Sequence, residues 1–126
     1  MKMRCFLAIA FGLSTAFLIA QNGDVKKLET EADIKLKAEN YEEALEDYLN
    51  LDPKNETYNY NIGVCYLNSN INKAKAVPYL ELVAIKEKHN PNADFLLGRA
   101  YQYANRYDEA IASFNKFKEL AKGKYE

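Results

Sequence analysis

One histidine, two cysteines and a formal net charge of −1 leave this chain of 126 residues little with which to do chemistry. His89 stands in a polar turn, Lys88-His89-Asn90, with no cysteine or second histidine beside it to complete a metal site. Cys5 lies in the N-terminal segment and Cys65 is alone in the remainder, so no internal disulfide is expected and stability must come from packing. A charge this close to neutral offers no concentrated basic face to neutralise phosphates, which argues against nucleic acid as a partner. No glycine-rich phosphate loop joins a strand to a helix either, because Gly63 and Gly98 both fall inside helical stretches. Strand-like alternation and low-complexity linkers are missing throughout. No catalytic constellation and no cofactor site emerge, and an enzyme is not expected.

What is present begins with a targeting segment. Lys2 and Arg4 precede an apolar run over residues 5–20 that is broken only by Gly12, Ser14 and Thr15. A membrane-spanning helix needs about 20 apolar residues, and this run is shorter. It ends at Leu18-Ile19-Ala20, a small-residue cleavage site ahead of the polar turn Gln21-Asn22-Gly23. Residues 1–20 are therefore expected to be a cleavable signal peptide, and residues 21–126 a single domain. With Gln21 at the expected new terminus and Cys5 at the upstream end of the apolar run, lipidation is not expected and any membrane association is expected to be indirect. The alternative is an uncleaved N-terminal anchor. Cleavage removes Lys2 and Arg4 and no acid, which shifts the formal charge from −1 to −3.

From Asp24 onward the pattern predicts six helices in three antiparallel pairs, over 24–38 and 41–50, 55–67 and 73–88, and 91–104 and 107–121. The first pair closes at Leu51-Asp52-Pro53, since a proline drives its predecessor out of helical geometry. Within the second, Asn68-Ser69-Asn70-Ile71-Asn72 forms a long turn of residues that hydrogen-bond their own backbone. Pro78 places the true start of its helix near Lys75, and Pro91 suits a first helical turn.

Two stretches about 35 residues apart carry one signature. They are Ile62-Gly63-x-x-Tyr66 with Ala76-x-x-x-Leu80, and Leu97-Gly98-x-x-Tyr101 with Ala110-x-x-x-Phe114. The physical reason for such a signature is close helix packing: Gly63 and Gly98, with Ala32 as the weaker equivalent, admit a neighbouring helix, while Ala44, Ala76 and Ala110 do so from the other side. Tyr48, Tyr66, Tyr101 and Phe114 fill the space between, and Cys65 is expected to be a buried, inert thiol. The acids Glu42, Glu43, Glu46 and Asp47 are expected on a solvated helix face.

On these residues the chain resembles the tetratricopeptide family, an all-α solenoid of helical hairpins, with three repeats at about 24–53, 55–88 and 91–121. The third repeat fits best. The first is degenerate, with Leu28, Glu31, Ala32 and Lys35 in place of the signature residues. Phrases such as Gly63-Val64-Cys65-Tyr66-Leu67-Asn68-Ser69 and Lys75-Ala76-Val77-Pro78-Tyr79-Leu80-Glu81 also resemble the N-terminal repeat region of Gram-negative OmpA-family cell-envelope proteins. The resemblance implies a non-catalytic module of the periplasm or outer membrane that binds a partner protein or peptide, or alternatively a tethering segment of a peptidoglycan-associated assembly.

The family's groove positions fall on Glu29, Asp33, Leu36 and Lys37, then on Tyr60, Val64, Leu67 and Asn68, and finally on Phe95, Arg99, Gln102 and Tyr103. One end is acidic; the remainder is apolar and aromatic with a single arginine. Aromatic residues and arginine are the usual anchors of protein interfaces, so the groove suits a peptide with an apolar side chain and an acid for Arg99. The last helix carries Ile111, Phe114, Phe117 and Leu120 with no polar-faced helix after it. One apolar flank is expected to stay open to self-association or a docked partner.

Overall fold

The computed structural model describes residues 22–124; the apolar N-terminal run and its cleavage point lie outside them. Among the described residues there is no strand. The first helix, α1, runs over 22–37. It is followed by α2 (Tyr41–Leu49), α3 (Glu56–Asn68), a 3-10 turn (Lys73–Lys75), α4 (Ala76–Ala84), α5 (Asn92–Tyr103) and α6 (Tyr107–Leu120). No described helix is long and apolar enough to cross a membrane.

Local chemistry sets most of these boundaries. Asn55 caps α3, its side-chain oxygen accepting from the Tyr58 amide at 3.2 Å. Asn72 caps the 3-10 turn in the same way through the Ala74 amide at 3.1 Å, and this turn lets Pro78 sit in the first turn of α4, where no amide is missed. Glu39 and Asn105 adopt left-handed backbone, with φ of 61° and 59°, immediately beyond α1 and α5. Each reversal is closed by one bond five residues back, Asn40 N to Lys35 O and Arg106 N to Tyr101 O, both 2.9 Å. The first and third pairs thus turn on identical joints.

One expected boundary is corrected. The helix expected to reach Lys88 ends at Ala84, because the His89 ring folds back to take the Lys86 carbonyl at 2.6 Å and so ties down the exit from the helix.

Packing follows the signature. A Cβ built on Gly98 would lie 2.6 Å from Cε1 of Phe114, and one on Gly63 would collide with the Leu80 side chain. Each glycine therefore admits the second helix of its own pair. Ala32, Ala44, Ala76, Ala93, Ala100 and Ala110 are buried with Tyr48, Tyr58, Tyr66, Tyr101 and Leu80 in a core that passes through all three pairs. Burying each large side chain contributes roughly 1.5–3 kcal/mol, which offsets the cost of ordering so short a chain. Cys65 is among the buried residues, and burial pushes its thiol up to about 12. Glu42, Glu43 and Glu46 are solvated as expected, but Asp47 is not free: Lys35 donates to it at 2.5 Å across the first pair.

Candidate binding face

The first helices of the pairs form one layer and the second helices the other. In the first layer α3 packs directly on α5, whereas among the described residues no comparable contact joins α2 to α4 or α4 to α6. Closer spacing in one layer curves a stack toward it, so the α1, α3 and α5 side is the inner one.

The acidic end of that face is engaged within the fold. Tyr48 Oη donates to Asp33 at 2.5 Å and accepts from Asn61 Nδ2 at 3.1 Å, which joins α1, α2 and α3. Burial, reinforced by Asp33, drives the Tyr48 hydroxyl well above the ordinary tyrosine range. The Tyr58 hydroxyl is raised in the same direction, first by burial and then by its hydrogen bond to Glu29. Leu36 packs against the core.

Farther along, Tyr60, Val64 and Arg99 are half-buried, while Asn68, Phe95, Gln102 and Tyr103 are exposed. Arg99 has no hydrogen-bond or ion-pair partner among the described residues. The buried carboxylate of Asp94, by contrast, is matched by His89 and Lys116. Tyr103 receives the Lys73 ammonium 5.7 Å from its ring centroid.

Leu67 does not belong to the face on which the sequence placed it. Its side chain is buried in the core, and Lys73 folds over the end of α3, donating to the Leu67 and Ser69 carbonyls at 2.9 and 2.7 Å. The last turn of α3 is thereby tucked beneath the turn that follows. Phe95 has two roles: one side is open, and its ring also lies 5.7 Å from Phe114 and 5.4 Å from Phe117 on α6.

His89 lies in the turn between α4 and α5 as expected, but its contacts were not foreseen. Its side chain is 3% exposed and meets Asp94, itself 1% exposed, at 2.6 Å through Nε2. Lys116 on α6 approaches the other Asp94 oxygen at 3.4 Å and donates to the Ala84 carbonyl at 3.0 Å. Since Nδ1 faces the Lys86 carbonyl, both ring nitrogens are occupied and none is left for a substrate. The cluster pins the exit of α4 to the entry of α5 and the side of α6. No group of three or more histidine, cysteine, aspartate or glutamate residues is placed to hold a metal ion among the described residues.

Nothing among the curated proteins matches the chain. Residues 92–122, which are α5, α6 and their flanks, match the family model of the tetratricopeptide repeat, and with the all-helical architecture this similarity supports a tetratricopeptide repeat protein.

Proposed function

We propose that the chain is a three-repeat, non-catalytic binding module whose inner face, formed by Tyr60, Val64, Phe95, Arg99, Gln102 and Tyr103, takes a partner protein or peptide in the cell envelope. Tetratricopeptide repeats generally mediate protein–protein interaction, and the match at residues 92–122 covers the pair that supplies Phe95 and Arg99. The observation that carries the reading is Arg99, a half-buried guanidinium left without an internal partner beside two exposed aromatic rings. Such an arrangement suits a partner that brings an acidic group with an apolar neighbour. Export by the N-terminal segment would place the module in the periplasm or at the outer membrane.

Crosslinking in intact cells, followed by identification of the captured protein, supplies the partner. Arg99→Gln is then expected to weaken its binding about tenfold without loss of helicity, whereas Glu46→Ala on the solvated outer face leaves it unchanged. The opposite pattern, or capture of peptidoglycan sacculi in place of a protein, overturns the groove reading.

A further inference from the structure

His89 is the one histidine of the chain, and histidine is the side chain whose ordinary titration falls between about pH 5 and 8. The fold surrounds it with acceptors. Nδ1 lies 2.6 Å from the Lys86 carbonyl oxygen and Nε2 lies 2.6 Å from Oδ2 of Asp94, with the side chains of both His89 and Asp94 almost wholly buried. A neutral imidazole carries one N–H and one lone pair, so it satisfies only one of these oxygens and turns its lone pair on the other. The imidazolium carries two N–H groups and satisfies both.

The neighbouring charges agree with the second form. Asp94 on α5 presents its other oxygen to the Lys116 ammonium of α6 at 3.4 Å, a partner suited to a carboxylate and not to a carboxylic acid. The second hydrogen is therefore the ring's own. From the exit of α4 the ring meets the Lys86 carbonyl, while the side chains of Lys86, Glu87 and Lys88 are turned to solvent. On the side of α3, Glu56 and Tyr60 line a cleft with Asn90, the residue after the ring, and among the described residues neither is joined to His89 by an ion pair.

We infer that His89 is a pH-sensitive latch between the second and third helix pairs, closed while the ring is an imidazolium and released when it gives up a proton. Closed, it joins the exit of α4 to the entry of α5 through Lys86 and Asp94, and Asp94 passes the tie to Lys116, which also donates to the Ala84 carbonyl at 3.0 Å. When the ring is neutral, one of its two contacts becomes a meeting of lone pairs, and the buried carboxylate is left to Lys116. The stability that the charged ring contributes is thus present at the acid end of the range and lost as the pH rises. Packing of α4 on α5 continues to hold the pairs together, so the release is expected to be local, over residues 85–94. The latch does not depend on the inner face taking a partner.

Nuclear magnetic resonance on untagged protein recovered from cells and labelled with nitrogen-15 histidine tests this from about pH 5.5 to about 8.5, a range in which ordinary carboxylates stay charged. With one histidine in the chain, the ring nitrogens give a single set of signals. Both are expected to carry a proton at the acid end, and one to lose it as the pH rises. Hydrogen exchange of the amides over residues 85–94 is followed across the same range. It is expected to accelerate about tenfold more in wild type than in His89→Gln, whose side chain does not titrate and so corrects for the intrinsic pH dependence of exchange. The α2 amides of the wild-type sample give a second reference that does not require the variant to fold. A ring that keeps one protonation state throughout overturns the inference, as does a ring that titrates without the gain in exchange. An equal gain in α2 overturns it as well, because the loosening is then global and no latch is involved.

Discussion

The first and third helix pairs turn on the same joint and are sealed by different chemistry. In the third, Gly98 lets Phe114 press onto α5, and the buried pair of His89 and Asp94, joined by the half-exposed Lys116, locks the pair to α4. In the first, Ala32 replaces the glycine, and the helices are linked by Lys35 to Asp47 and by Tyr48 to Asp33, both partly exposed. Close contact and desolvated charge give large, brittle contributions; half-solvated polar links give small, forgiving ones. One architecture can thus be held by either means, and the pair that keeps the close contact is also the one that matches a family model.

Breaking the seal of the third pair should cost most. Asp94→Ala strands the buried His89 ring and frees the exit of α4, and removing one partner of a buried pair costs roughly 3–5 kcal/mol. A urea melt should show that loss, and a change below about 1 kcal/mol would mean the cluster is far weaker than its burial implies. Gly98→Leu follows at about 2–3 kcal/mol, because the added side chain enters space held by Phe114. The comparison sharpens if Ala32→Gly, which only opens room in the first pair, costs about 1 kcal/mol, the ordinary helix penalty for glycine. Tyr48→Phe should remove about 1 kcal/mol by deleting the hydroxyl between Asp33 and Asn61. The smallest effect concerns Cys65. With its thiol pushed up to about 12 by burial, the reactive thiolate is scarce at pH 8, and modification by a disulfide reagent should proceed only as fast as the surrounding core opens. Rapid labelling of the folded protein would show that the second pair opens locally.

Much of this was legible beforehand because it is local. Helix starts at Asn55 and near Lys75, the turns around Asn40 and Arg106, and the close approach at Gly63 and Gly98 depend on residues near one another in the chain. Three features were not, and each is made by distant residues. The burial of His89 depends on Asp94 meeting it across a loop and on Lys116 reaching from α6. The early end of α4 follows from that same ring. Leu67 is turned into the core at the end of α3, where Lys73 from beyond the following turn reaches back to its carbonyl. In the candidate face the sequence located Tyr60, Val64, Phe95 and Arg99 on adjoining helices; it could not tell that Phe95 would share its ring with Phe114 and Phe117.

Among the described residues the main packing partners are nearest neighbours along the chain: α2 with α3, α3 with α4, α4 with α5 and α5 with α6, while α3 with α5 is a smaller contact that skips a helix. Little loop entropy is therefore spent before a contact is made, which favours rapid folding. A folding nucleus can form in any adjoining helices and spread in both directions. The seal described above biases where it starts: the glycine contact joins α5 to α6 within a single hairpin, so structure is expected to grow from the C-terminal hairpin back toward α1. During synthesis the opposite end emerges first, and the weakly sealed first pair must wait for the chain behind it before it is secured.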